Sequence, residues 1–438
     1  MTTQKNKMET IDILKINHFL NVRKITTKVL KKEIISLYKK INTRKNFKIS
    51  SSEVNYLNSK LSIPIEKIKF QKKLPDYILW NKKKILGSKR AINRDGIHFY
   101  NYYSLPTPHG FIGPVILDIL CPKNKLPKLN NGHLEQAITV NLGSDDIYGR
   151  WGVKKNKFNF SKIKFNSSKK NKWIIGDTYV EPSYCPHSYS RVNNNNSQIL
   201  SYTAKSPIEK LVKNLNSWSN ENYKNFYSKV NSSDNRILIL KYYLDNRGVS
   251  LKYLSRTLGI KIINLKQVFI NQKTLRKVCS FLRLDLSIFY NNKNLDEDKI
   301  GKTYLSYEDS FKTIRKFKSY LMASMAFSHR YPDLFGCFIK VSNKKNLLDL
   351  SNYAASHYLV TSGNLKFNIR NKRVDIKKGD AIWVSSFKNH GFSGNGSLLK
   401  ISNGESLDTS NLHEILKMYK PKKTISRSYK DKITWGYE

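Results

Sequence analysis

Apolar residues recur at helical spacing from about residue 10 to 72. INHFLNVRKITTKVLKKEIISLYKKI (16–41) lays its isoleucines, leucines and valines along one stripe, which predicts amphipathic helices. SSSEVNYLNSKLSIPIEKI (50–68) predicts another helix, with Ser51 or Ser52 as N-cap and an end before Pro64. From about 73 to 205 the pattern changes to short alternating or wholly apolar runs. HFYNYY (98–103), FIGPVILDILCP (111–122), QAITVNL (136–142) and SYTA (201–204) read as strands bounded by turn residues. Helical spacing returns over 206–298. SPIEKLVKNLNSW opens with Ser206 and Pro207 in cap-and-N1 order, and SLKYLSRTLGIKIINLKQVF looks like two helices turning at Gly259.

Strand patterns dominate again over 299–405. SHYLVTSGNLKFNI and KKGDAIWVSSFKNHGF repeat the earlier layout, including a Gly-Asp turn at Gly379 that echoes Gly176-Asp177. A last helix, LHEILKMY, lies in the tail after 406. The chain is therefore expected to be α+β, a tandem of helical (helix-turn-helix-like) modules and β-barrels: helical module 10–72, barrel 73–205, helical module 206–298, barrel 299–405, and a helical tail 406–438. The second barrel carries His357 and His390 but has Val384 or Ser385 where a carboxylate would match Glu181, so it is expected to hold no metal.

Composition narrows the function classes. The chain has 438 residues, room for several domains, and its 39% hydrophobic content supports real cores. No apolar run approaches the ~18 residues of a membrane span, and the N-terminus MTTQKNKMETIDIL has no apolar leader core. Four cysteines (Cys121, Cys185, Cys279, Cys337) without CxxC spacing suit reduced thiols. A cytoplasmic protein with no membrane partner is the expectation. The charge of +47, from 79 Lys plus Arg against 32 Asp plus Glu, could mark a nucleic-acid binder. Lysine is spread almost evenly among many Asn and Ile, however, as an AT-rich genome would produce, so nucleic acid is not the expected partner. A basic field would also attract a small anionic substrate. KKNKFNFSKIKFNSSKKNK (154–172) reads as a solvated basic hairpin.

The chemistry concentrates between Asn130 and His187. NNGHLEQAITVNLGSDDIYGRWG carries His133, and GDTYVEPSYCPHSYS carries Glu181 and His187 after a Gly-Asp turn. Two imidazoles and a carboxylate on one side of a metal leave the other side open, the donor set of non-haem Fe(II) oxygenases. An open site of this kind suits catalysis, whereas structural sites are closed. The competing reading makes His133 a partner for a buried polar group and Glu181 a loop cap. Cys185 is a further donor candidate, and Pro182 and Pro186 break the pleat so that alternation does not fix its facing.

RDGIHFYNYY, LDILCP, NNGHLEQAITVNLG, GRWG, YVEPSYCPHSYS and SYTA closely resemble the hydroxyethylphosphonate dioxygenase and methylphosphonate synthase family, tandem helix-plus-cupin proteins. The likeness runs from about Asn21 to the terminal WGYE and is densest between Arg94 and Ser201. It implies cupin double-stranded β-helix barrels and a non-haem Fe(II) enzyme that cleaves the carbon–carbon bond of 2-hydroxyethylphosphonate with O2. It further implies His133, Glu181 and His187 as iron ligands, and Arg94, Tyr102, Asn130 and Tyr179 as contacts to the substrate or its phosphonate. Lys24 resembles the lysine that closes the active site; with Tyr102 and Tyr179 it is the expected catalytic set. Ser201 matches a pocket position.

One departure stands out: Gln136, three after His133, replaces the proline of the dioxygenase pattern. In methylphosphonate synthase a glutamine from this strand replaces the glutamate on iron, so Gln136 is the alternative ligand. A charged carboxylate is the stronger Fe(II) ligand, which favours Glu181 and the products hydroxymethylphosphonate and formate over methylphosphonate. A helix-turn-helix/cupin DNA-binding regulator is the competing function of another class, and an epoxidase-like relative fits the tandem architecture poorly. Assembly as a homo-oligomer is compatible with the sequence.

Overall fold

The computed structural model describes residues 9–22, 25–60, 62–63, 65–70, 73–94, 96–122, 130, 132–143, 147–151, 175–181, 183–191, 194–206, 208–232, 235–289, 304–328 and 331–430. The basic segment 154–172, the terminal WGYE and Lys24 lie outside them.

A small ribbon, β1 (Thr10–Ile11) against β2 (Phe47–Lys48), closes the first helical module. Its helices are α1 (Ile13–Val22), α2 (Thr27–Glu33), α3 (Ile35–Asn42), α4 (Ser51–Asn55) and α5 (Ile65–Ile68). The apolar stripe is buried: Ile16, Leu30, Leu37, Leu57 and Ile68 share one core. The cap of α4 is Ser50, one residue before the expected serines. The reason lies in Glu53. It sits at the third helical position only if Ser50 is the cap, and its carboxylate then accepts from the Ser50 backbone N–H at 2.8 Å. Lys40 closes on the same carboxylate at 2.6 Å, which offsets the burial of its charge.

The first barrel begins after β3 (Tyr77–Trp80) and α6 (Lys82–Leu86). It contains β4 (Arg90–Arg94), β5 (Ile97–Ser104), β6 (Val115–Ile119), β7 (Ala137–Asn141), β8 (Ile147–Trp151), β9 (Thr178–Glu181), β10 (His187–Arg191) and β11 (Ser197–Thr203). Strands β4, β5, β6, β11, β7 and β9 form one antiparallel sheet, and β8 with β10 forms a separate ribbon. Alternation sorts the side chains into two cores. Leu117, Ile119, Tyr179 and Ile199 fill the barrel with Tyr189 of the ribbon. Their neighbours Ile138, Val140, Val180 and Leu200 face outward and pack against the second barrel.

Between the barrels lie α7 (Glu209–Leu215), α8 (Asn220–Ser232), α9 (Asn235–Asn246), α10 (Leu251–Leu258) and α11 (Gln272–Leu282). Gly259 ends α10 in the left-handed conformation, φ +63°, as a turn there requires. Ser206 does not cap α7, which starts at Glu209 without a side-chain cap.

The second barrel begins after β12 (Tyr304–Leu305) and α12 (Tyr307–Lys312) and contains β13 (Arg315–Phe317), β14 (Tyr320–Ser324), β15 (Leu334–Val341), β16 (Ser356–Ile369), β17 (Lys372–Lys377), β18 (Ala381–Val384) and β19 (His390–Asn403). The tail follows as α13 (Thr409–Lys417) and α14 (Pro421–Lys430).

The two barrels exchange their leading strands. β3 precedes the first barrel yet pairs with β18 of the second, Ile382 opposite Leu79. β12 precedes the second barrel yet pairs with β9 of the first, Tyr304 opposite Tyr179. The Gly-Asp turns fasten both exchanges. Asp177 accepts from the Tyr304 hydroxyl (2.7 Å) and the Tyr307 N–H (2.9 Å). Asp380 accepts from the Lys82 N–H at 2.8 Å. The glycines must lack a side chain: both have positive φ, and a Cβ on Gly176 would lie 2.3 Å from the Tyr307 ring. The strand β9 that carries Glu181 is thus held on both edges, by β7 and by β12.

Candidate metal centre

His133, Glu181 and His187 each point one donor atom to a common place, all within 4.8 Å of one another, and among the described residues they form the one such group. Glu181 closes β9 opposite Ala137 of β7, and His187 opens β10. His133 sits on the loop entering β7, which is tied to the β9–β10 turn by the Tyr184 N–H on the His133 carbonyl at 2.7 Å.

Each ring is oriented by a group other than a metal. His133 Nδ1 donates to the Glu135 carbonyl, which leaves Nε2 with a lone pair, 3.8 Å from Glu181 Oε2. His187 Nδ1 donates to the Cys185 carbonyl at 3.0 Å, and the Asn130 amide donates to Nε2 at 2.8 Å. Asn130 is a clamp: its Oδ1 also accepts from the backbone N–H of Gly132 and of His187, both at 2.9 Å.

The fit to a cation rests on Glu181. Its side chain is only 2% exposed, against 34% for His133. Oε1 lies 2.6 Å from His187 Nδ1, yet that N–H is aimed at Cys185, and the carboxylate oxygen has no hydrogen-bond partner. No Lys or Arg among the described residues pairs with it. An ionised carboxylate left this way costs several kcal/mol. A divalent cation on the carboxylate and His133 Nε2, which could also take His187 Nε2 once the Asn130 amide swings aside, would remove the penalty, and the oxygen–nitrogen set is that of a three-coordinated metal with an open side. His133, the most exposed of the three, marks the open side.

Around the centre, the pleat gathers hydroxyls. Tyr179, Thr139 and Ser201 occupy one register row across β9, β7 and β11, two residues from Glu181 along β9. Thr139 Oγ1 is buried and unpartnered. The Tyr179 hydroxyl contacts the Tyr189 hydroxyl, and the Tyr189 N–H donates to Tyr100 at 2.9 Å. Burial, followed by the Tyr179 and Glu181 charges, holds the Tyr189 hydroxyl well above its usual range, so it stays a neutral donor. Tyr102 lies edge-on to Tyr100, ring centroids 6.2 Å apart. Tyr189 and Thr139 were not singled out from sequence; Thr139 was legible as the third residue of the strand AITVN, on the parity of Ala137 opposite Glu181.

The remaining candidates divide. Arg94 ends β4, with its side chain outside the described residues, as is Lys24. Asn130 is engaged by His187 as described. Gln136 is buried, and its Oε1 has no hydrogen-bond partner. Cys185 contributes its carbonyl to His187 and is not in the three-residue group.

The second barrel can be matched to the first residue by residue. Register places Ser356 opposite Val384 as Ala137 lies opposite Glu181. Counting from this pair, Val384 stands for Glu181, His390 for His187, and Asn352, not His357, for His133. His357 corresponds to Ile138 and faces the other barrel, where Thr107 Oγ1 meets its Nε2 at 3.1 Å. Burial lowers the His357 pKa from 6.5 to about 3, and that of His390 to about 4.

A model of the 2-hydroxyethylphosphonate dioxygenase cupin-like domain matches residues 86–204. The 2-hydroxyethylphosphonate dioxygenase of Streptomyces viridochromogenes is 36% identical over 361 residues, 80% of this chain and 81% of that protein. Among solved structures, a cadmium-containing PhpD complexed with its phosphonate is 31% identical with a TM-score of 0.78, covering 95% of this chain and 99% of that one. A point variant of 2-hydroxyethylphosphonate dioxygenase is 30% identical with a TM-score of 0.81, covering 95% and 100%. Shared length, fold and sequence at this level place the chain in the 2-hydroxyethylphosphonate dioxygenase family, a family of non-haem iron enzymes.

Proposed function

We propose that this protein is an Fe(II)- and O2-dependent enzyme that breaks the carbon–carbon bond of 2-hydroxyethylphosphonate and releases hydroxymethylphosphonate and formate. The observation that supports this reading is the buried Glu181 carboxylate, its Oε1 without a hydrogen-bond partner, grouped with two imidazoles whose donor atoms lie within 4.8 Å. The relative that matches four fifths of the chain is named a 2-hydroxyethylphosphonate dioxygenase, which supports the substrate and O2. The atoms balance: substrate plus O2 equals the two products, with no external electron donor.

His133, Glu181 and His187 would hold the iron, which supplies a Lewis-acidic, redox-active centre with open positions. The Asn130 amide holds the His187 Nε2 lone pair, so it would have to release that ring to a metal, which would free the amide for the substrate. A phosphonate dianion needs cations and neutral donors away from water. Tyr179, Thr139 and Ser201 offer hydroxyls on one interior row, and Tyr102 borders it. Tyr189 and Tyr100 fix the Tyr179 hydroxyl in place. Arg94, at the end of β4, is assigned to the phosphonate as a planar fork, and Lys24 as a mobile charge that completes closure. The +47 charge raises the local concentration of an anionic substrate.

Gln136 supports a second reading. Its buried, unpartnered amide oxygen is an available neutral donor on the loop between His133 and β7. The same reactants also balance as methylphosphonate plus carbonic acid. Iron-loaded protein incubated with 2-hydroxyethylphosphonate and O2, followed by phosphorus NMR, separates the two products. Appearance of hydroxymethylphosphonate is expected. Methylphosphonate alone would transfer the assignment, and no O2 uptake with iron-loaded protein would refute both. Gln136→Ala should leave iron binding intact if Glu181 is the ligand.

A further inference from the structure

The second barrel encloses a cavity of 710 Å³, within the range of small-molecule sites. Asn352, which matches His133, lines it, and the polar groups behind Asn352 form a chain of fixed direction. His390 Nδ1 donates to the Lys388 carbonyl (2.7 Å), so His390 Nε2 accepts from the Tyr358 hydroxyl (2.8 Å). That hydroxyl in turn accepts from the Asn352 amide (2.8 Å), and Asn352 Oδ1 accepts from Lys400 Nζ (2.6 Å). Every member is satisfied until the end of the chain. The ammonium has three donors and spends one on Asn352, and it also lies over the Phe335 ring, 5.5 Å from the centroid.

No carboxylate among the described residues pairs with Lys400. The two acids lining the cavity are engaged elsewhere. Asp333 accepts from the Thr409 N–H and hydroxyl (2.9 and 2.8 Å), and Asp408 caps α13. A second lining cation, Arg315, reaches only Ser324 Oγ, at 3.5 Å. The walls are apolar: Met322, Met325, Ile339 and Leu350 line the interior. Phe327 and Tyr353, 57% and 69% exposed, stand at the solvent side. The cavity therefore has cationic donors to spare at its Lys400 end, two carboxylates that are engaged at the start of α13, and apolar walls out to a solvent-facing aromatic rim.

We propose that this cavity is a second ligand site, which takes an amphiphilic monocarboxylate, its carboxylate on Lys400 and its apolar tail along the methionine-rich wall. A single ammonium and one outlying guanidinium suit a monoanion, and the apolar lining does not suit a small, fully polar phosphonate. Burial pulls the Lys400 ammonium below the usual lysine range, and a bound carboxylate would offset that cost. Methionine lining lets one wall accept tails of differing shape.

Octanoate and 1-octanol, titrated calorimetrically into the full chain, test the proposal. Octanoate should bind at one site per chain, about tenfold or more tighter than the alcohol of equal length. Lys400→Met should remove the preference for the acid. Arg315→Gln, an exposed change that leaves the network alone, should weaken octanoate a few-fold. Glu181→Ala, in the other barrel, should leave octanoate binding unchanged. Equal affinity for acid and alcohol, no binding to the folded wild-type chain, or loss of binding on Glu181→Ala would each overturn it.

Discussion

The two barrels share strand order, register and a Gly-Asp turn, and differ in the charge placed at one equivalent point. The first has His133, Glu181, His187 and Ser201; the second has Asn352, Val384, His390 and Lys400 at the matching register positions. The first buries an anion with no protein cation beside it, so its balance must come from outside. The second holds a half-buried cation with no carboxylate paired to it among the described residues, hydrogen-bonded to the residue in the His133 position. On the two proposals above, one scaffold supports opposite demands, with the sign of the charge setting which ligand each barrel would accept.

The most damaging test of this contrast is activity after removing matched residues. Glu181→Ala should lower O2 consumption on 2-hydroxyethylphosphonate by about a thousandfold, about 4 kcal/mol of transition-state stabilisation. Val384→Ala, at the matching place, should change it by less than about twofold. A large loss from Val384→Ala with an intact fold would show that the barrels work jointly.

A smaller effect is expected from Tyr179→Phe. It removes a hydroxyl from a buried pair, a change of about 1–3 kcal/mol. The rate should fall about tenfold with iron content unchanged, as read by steady-state O2 uptake beside metal analysis. An unchanged rate would remove Tyr179 from the site.

The smallest effect concerns acid stability of the second barrel. His357 and His390 have folded pKa values near 3 and 4, below 6.5. As pH falls below about 6.5, the unfolded chain takes up protons that the folded chain refuses, so stability present at neutral pH is lost until the folded values are reached. Urea midpoints between pH 7 and 5 should fall, and His357→Leu should reduce that slope. An equal slope in both proteins would contradict the burial of a neutral imidazole.

The period of the apolar pattern carried the barrels, the helical modules and the tail helix, because a half-buried strand and an amphipathic helix differ in sequence. His133, Glu181 and His187 were legible as candidates through residue type and the Gly-Asp turn, since strand β9 must follow that turn in extended form. The strand exchange was not legible. Nothing in Tyr77–Trp80 states which sheet edge it will meet; that follows from Asp380 and Asp177 holding segments more than a hundred residues away. The facing of His357 was not legible for a related reason. A histidine at the start of a strand does not reveal its facing until the register with Trp383 is known. Asn130 shows the same limit, since its partner His187 is distant in sequence and adjacent in space.

The central claim is that one metal is held per chain, in the first barrel, by the Glu181 carboxylate with two imidazoles. Anaerobic Fe(II) titration of the wild type, Glu181→Ala, Gln136→Ala and His390→Ala, with bound iron measured after gel filtration, addresses it directly. The account predicts one iron per chain in the wild type, Gln136→Ala and His390→Ala, and almost none in Glu181→Ala. Iron retained by Glu181→Ala, or lost on His390→Ala, would contradict it.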